Sequence, residues 1–129
     1  MNVPQLLPRI EPCLNAYGHR CAVTRMQLRL VEAAHILPVA ASGSTDQIRN
    51  GLALSPTYHR AFDRGLIFVD TQHVMRINPA KSAQLEKLNL AAGLAHFKAH
   101  LGRIHLPADR SLWPHPSFIR KANKLRGIG

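Results

Sequence analysis

Apolar residues along this chain fall in short runs broken by prolines, glycines and polar clusters, and no run approaches the roughly 18 to 20 residues of a membrane span. Two runs, Cys21-Ala22-Val23-Thr24 and Leu28 to Ile36 (LRLVEAAHI), read as successive strands with Arg25-Met26-Gln27 as the turn between them. Pro38 and the polar stretch Ser42-Gly43-Ser44-Thr45-Asp46 end the second. Ser55-Pro56 then opens a helix: Ser caps free amides, and Pro at the first helical position gives up an N–H that had no partner. Gly65 closes it, since glycine accepts the left-handed conformation beyond a helix end. The interval holds about two and a half turns at 3.6 residues per turn. Leu66 to Val69 and Val74 to Ile77 form a hairpin across Thr71-Gln72-His73, and Asn78-Pro79 ends it.

The flanks are predicted to be helical. Residues 1–17 form a short helix between prolines, with Leu6, Leu7, Ile10 and Leu14 inward. Residues 80–101 carry Leu85, Leu88, Leu90, Leu94 and Phe97 at helical spacing, with Gly93 splitting the segment. Gly102 to Pro107 reads as extended, and Pro116 to Arg126 as a last helix bearing Arg120, Lys121, Lys124 and Arg126. The 129 residues, 46% hydrophobic, suit one α+β domain with a core over about 17–70 and a helical extension over about 80–129.

Charge narrows the partners. Seventeen Lys and Arg against seven Asp and Glu give a net +10, which suits a polyanion such as a phosphate backbone. Aromatics at 5% favour duplex-backbone contacts over stacking on single strands. Arg49, Arg60, Arg64, Arg120 and Lys121 are the residues expected to make those contacts. No leader or membrane span is legible, so a cytoplasmic protein is expected, and two cysteines imply no disulfide framework.

Against this background four polar residues stand out among apolar runs: His35, Asn50, His59 and Asp63. His59 and Asp63 are i and i+4 on the expected helix, the spacing at which two side chains hold one divalent cation. The same pair alone also reads as an ordinary helix pair worth a few tenths of a kcal/mol. His35, at a strand end, suits a general base with an ordinary pKa of about 6.5. Asn50 both donates and accepts, and suits an orienting role on the loop or the His ring. His96 and His100 are also i and i+4, but with no third ligand near them in sequence they read as surface or packing residues.

These residues carry a resemblance. Ala33-Ala34-His35-Ile36, Asn50-Gly51-Leu52-Ala53-Leu54 and His59-Arg60-Ala61-Phe62-Asp63-Arg64-Gly65-Leu66 resemble the signature of HNH endonucleases of the restriction and prophage type. The likeness runs from about Tyr17 to Asp70. It implies a ββα-metal core with flanking helices and a small antiparallel sheet, and a metal-dependent DNA endonuclease that nicks or cleaves duplex DNA. By the same likeness His35 activates water, Asn50 and His59 complete the catalytic set, and His59 with Asp63 holds the metal. Ala34 stands where many members carry a further ligand, which suits water-rich Mg²⁺ or Mn²⁺ over Zn²⁺ or Ni²⁺. Arg25 stands where this branch has Gly, and two cysteines cannot build the four-Cys zinc site of many members. DNA is the expected partner, with a homodimer or a second protein supplying specificity and no small-molecule cofactor. The competing readings are an inactive DNA-binding module of the same fold and a nuclease toxin with an acidic immunity partner.

Overall fold

The structure is a computed structural model that describes Ile10 and residues 12–128. Leu6 and Leu7 of the expected N-terminal helix therefore lie outside the described residues. What is described of that helix is one turn, α1 (Cys13–Ala16), with Ile10 and Cys13 buried.

The elements that hold the site are β1 (Glu32–His35), β2 (Gly51–Leu54) and α2 (Pro56–Asp63). β1 and β2 are antiparallel, with Ala34 opposite Leu52 and His35 opposite Gly51. This corrects the expected hairpin: the strand that pairs with the His35 strand follows it in sequence rather than preceding it. Leu28 and Arg29 have φ of +55° and +57°, which no strand can contain, so LRLVEAAHI is extended only over its last part. Cys21 to Thr24 is a knuckle instead of a strand. Its Cys21 amide donates to Met26 O and Arg25 N to Cys21 O, while Ala22 N donates sideways to Ala53 O of β2. β2 escapes sequence reading because all four of its residues are buried, leaving no polar alternation. Gly51 is required there: a Cβ would lie 2.8 Å from Ile10 Cγ1 and 3.2 Å from Cys13 Cβ.

α2 matches its expected limits, but not its expected cap. The Ser55 side chain makes no capping bond and instead accepts from Cys21 Sγ at 3.6 Å. At the other end Gly65 (φ +76°) donates to Phe62 O and Leu66 N donates to Ala61 O, the paired bonds of a left-handed helix stop. Tyr58, Ala61 and Phe62 face inward into the buried core that also holds Leu52, Leu54, Ile67 and Ile119, which leaves His59 and Asp63 on the outer side of the helix.

The expected hairpin is present as β3 (Ile67–Val69) and β4 (Val74–Ile77), extended by β5 (Gly102–Arg103) into a three-stranded antiparallel sheet. Residues 80–101 resolve into α3 (Pro79–Lys87) and α4 (Leu94–Ala99). Asn78 caps α3, and Asn89 (φ +60°) ends that path, so Leu88 and Leu90 leave the helix and are exposed. The last helix, α5 (Pro116–Leu125), buries Phe118, Ile119 and Ala122 and leaves Arg120, Lys121 and Lys124 exposed. No helix among the described residues is long and apolar enough to cross a membrane.

Candidate active site

β1 carries His35 at its end and Glu32 at its start, and each serves a different cluster. The His35 ring is largely covered, and its Nε2 lies 3.0 Å from Asp46 Oδ1. A carboxylate only accepts, so Nε2 carries the hydrogen and Nδ1 keeps the lone pair. His35 makes no hydrogen bond to His59 or Asp63 among the described residues; its orienting partner is Asp46, which sequence reasoning missed.

Asn50 is fully buried and holds the loop between the strands. Its Oδ1 accepts from Leu37 N at 2.8 Å, and its Nδ2 donates to Thr45 O at 2.8 Å, with longer bonds to Leu37 O and Ser44 Oγ. Its backbone O accepts from Ile36 N at 2.8 Å. Of the two roles expected for Asn50, the structure shows the loop and not the ring: Asn50 fixes Thr45, and Thr45 precedes the Asp46 that meets His35.

His59 stands between two carboxylates. Its Nδ1 is 2.7 Å from Glu32 Oε1, and its Nε2 is 3.3 Å from Asp63 Oδ2. The hydrogen bond to Asp63, then that to Glu32, outweighs burial and raises the His59 pKa from 6.5 to about 9. These three line an open cleft of about 350 Å³ with Pro56, Arg60 and Arg64. Glu32 was missed by sequence reasoning, although a carboxylate three residues before the strand-end His was its one visible signal.

Among the described residues no three His, Cys, Asp or Glu side chains are set to share one cation. The donor pair itself fits a hard ion. Two ligand atoms each about 2.1 Å from an octahedral ion lie about 3 Å apart, close to the His59–Asp63 separation. The Glu32 contact has the form in which a metal-ligating histidine donates its other ring N–H to a carboxylate.

The basic residues divide. Arg60 and Arg64 are exposed at the cleft, and Arg120 and Lys121 are exposed on α5. Lys121 reaches the loop between β1 and β2, its Nζ 3.4 Å from where a Gly43 Cβ would sit. Arg49 is half-buried, and its Nε donates to Trp113 O at 2.9 Å, which ties it to the approach to α5. Arg126, expected with the other basic residues of the last helix at the DNA surface, instead lies 4.6 Å over the Phe62 ring with Asp63 within electrostatic reach; burial lowers its pKa.

Comparison with known proteins finds a family likeness and a fold likeness. The model of the HNH endonuclease family matches residues 21–70, the span that holds both histidine clusters. The fold is similar to that of a modification-dependent TagI restriction endonuclease, with a TM-score of 0.58 and 18% identity over 88% of this chain. The chain spans 35% of that protein's length. No curated protein matches the sequence.

Proposed function

We propose that this protein is a divalent-metal-dependent HNH endonuclease that hydrolyses phosphodiester bonds in duplex DNA. The observation that carries the reading is the pairing of two histidines with different partners at the two ends of β1: His35 with Asp46, and His59 with Glu32 and Asp63. His35 takes a proton from water at Nδ1 while Asp46 holds the ring; the water oxygen attacks phosphorus and the bond to the 3′-oxygen breaks. His59 and Asp63 hold the cation, which when bound polarises a phosphate oxygen and stabilises the leaving oxygen. Glu32 orients His59, and Asn50 positions the loop. Arg60 and Arg64 grip the phosphates flanking the scissile bond, with Arg120 and Lys121 extending the basic surface.

Mg²⁺ or Mn²⁺ suits a site with few protein ligands, and the protein acts in the cytoplasm. One such site nicks a single strand, and a dimer cuts both. The test is relaxation of supercoiled plasmid in EDTA, Mg²⁺, Mn²⁺, Zn²⁺ and Ni²⁺. Open-circle product that requires a divalent ion is expected. Intact plasmid under every ion, with a gel shift still present, would overturn the nuclease and leave a DNA-binding module.

A further inference from the structure

The turn that replaces the expected strand around Leu28 is built unusually. Leu30 N donates to Gln27 O at 3.1 Å, so Leu28 and Arg29 are its two central residues, and both have positive φ. A tight turn of this hand ordinarily takes Asn-Gly, because side chains larger than these crowd the backbone in the left-handed region. Leu-Arg therefore costs stability at a place where two common residues would not. Strain of this kind persists where the surroundings over-determine it, and it concentrates at functional sites.

The base of the turn is braced accordingly. Cys21 N donates to Met26 O at 2.9 Å, Gln27 Nε2 to Gly18 O at 2.9 Å, Arg20 Nη1 to Arg25 O at 3.2 Å, and Met26 N to Thr24 Oγ1 at 3.1 Å. The neighbouring Met26 and Leu30 line a groove against Pro56, Tyr58, Leu90 and Phe97, but Leu28 is not part of it. Leu28 is instead 72% exposed, with the exposed Arg29 next to it and the exposed Arg25 three residues before. A rigid base, an apolar tip and flanking guanidinium groups match the side-chain wedges that enter a base step while basic neighbours hold the phosphates.

We infer that the Gln27–Leu30 turn is a DNA wedge, with Leu28 inserted at a base step and Arg29 on the adjoining phosphate. This rests on the nuclease reading above, since the same duplex occupies both surfaces. Leu28 lies four positions before Glu32 of the cleft, a span of at most about 14 Å. At 3.4 Å per base pair the wedge acts within about four steps of the scissile phosphate. The net charge of +10 supplies the complementarity to a duplex that a protein partner would not generally share.

The experiment uses duplexes carrying 2-aminopurine at successive positions, bound in EDTA to read fluorescence and incubated in Mn²⁺ to read cleavage, with wild type, Leu28→Met, Leu28→Ala and the double variant Leu28→Asn/Arg29→Gly. Wild type and Leu28→Met are expected to raise the fluorescence of a base near the cut by severalfold. Leu28→Ala and the double variant lose that rise and cleave at least tenfold more slowly, while the double variant gains thermal stability. A more stable double variant that cleaves and unstacks DNA like wild type would overturn the wedge. Wild type that binds and cuts without any fluorescence rise overturns the wedge and leaves the nuclease standing, whereas wild type that binds no DNA overturns both. A change in oligomeric mass on Leu28→Ala, with DNA signals unaltered, assigns the tip to a protein contact and likewise overturns it.

Discussion

The Glu32 carboxylate accepts from His59 Nδ1 at 2.7 Å, and this bond fixes which face of the imidazole looks along α2 toward Asp63. Strand and helix are thereby joined through the ring proposed to hold the cation, at the nitrogen opposite Asp63. Glu32→Gln removes charge while keeping shape, and it is expected to weaken Mn²⁺ binding about 10- to 100-fold with little loss of stability. Isothermal titration of Mn²⁺ into both proteins checks this, and equal affinities would mean that Glu32 orients nothing.

Asp46 is expected to act only through His35. Asp46→Asn preserves the contact but not the carboxylate that selects the Nε2–H tautomer, and kcat should fall about 10- to 100-fold with KM little altered. The loss stays below the 10²- to 10⁴-fold expected for removing the base itself. The pH profile of kcat is the decisive readout: it shifts if Asp46 tunes the ring, and keeps its shape if Asp46 merely supports the loop.

Asn50 has a structural consequence that can be measured without DNA. Asn50→Ala strips the partners from Leu37 N and Thr45 O, and leaving such groups buried and unpaired costs about 2–4 kcal/mol. Urea unfolding should show a midpoint lowered accordingly with an unchanged slope. An unchanged midpoint would show that the loop is held elsewhere.

Asp70 gives the fold a defined acid limb. Burial pushes its pKa up, but bonds from Arg76 and from the Val74 and Gln72 amides outweigh that and hold it below 3.8. A carboxylate depressed in the native state contributes stability that is present above its unfolded pKa and lost as pH falls through the native one. Asp70→Asn should therefore melt lower than wild type at pH 6, with the gap closing below about pH 4, its ordinary range. A gap that stays constant from pH 6 to pH 3 would assign the effect to something other than ionisation.

What the sequence made legible was local. α2, the β3–β4 hairpin and α5 are bounded by Ser55-Pro56, Gly65, Asn78-Pro79 and Pro116, whose backbone preferences act within a few residues. The β1–β2 pairing was not legible, because it closes a loop of about 15 residues and its second strand, Gly51-Leu52-Ala53-Leu54, has no polar face. The candidate site followed the same division. His59 and Asp63 share a helix face and could be read together, but Asp46 meets His35 across 11 residues and Glu32 meets His59 across 27. Such partners are set by strand pairing and loop closure, which no local spacing encodes.

The division of labour between the two histidines is the central claim, and the most direct measurement is plasmid nicking by His35→Ala at saturating Mn²⁺. The account predicts Mn²⁺ affinity like that of wild type and a nicking rate lower by 10²-fold or more, since the cation ligands are intact and the base is gone. Wild-type nicking by His35→Ala would contradict it, and would place the proton acceptor elsewhere in the cleft.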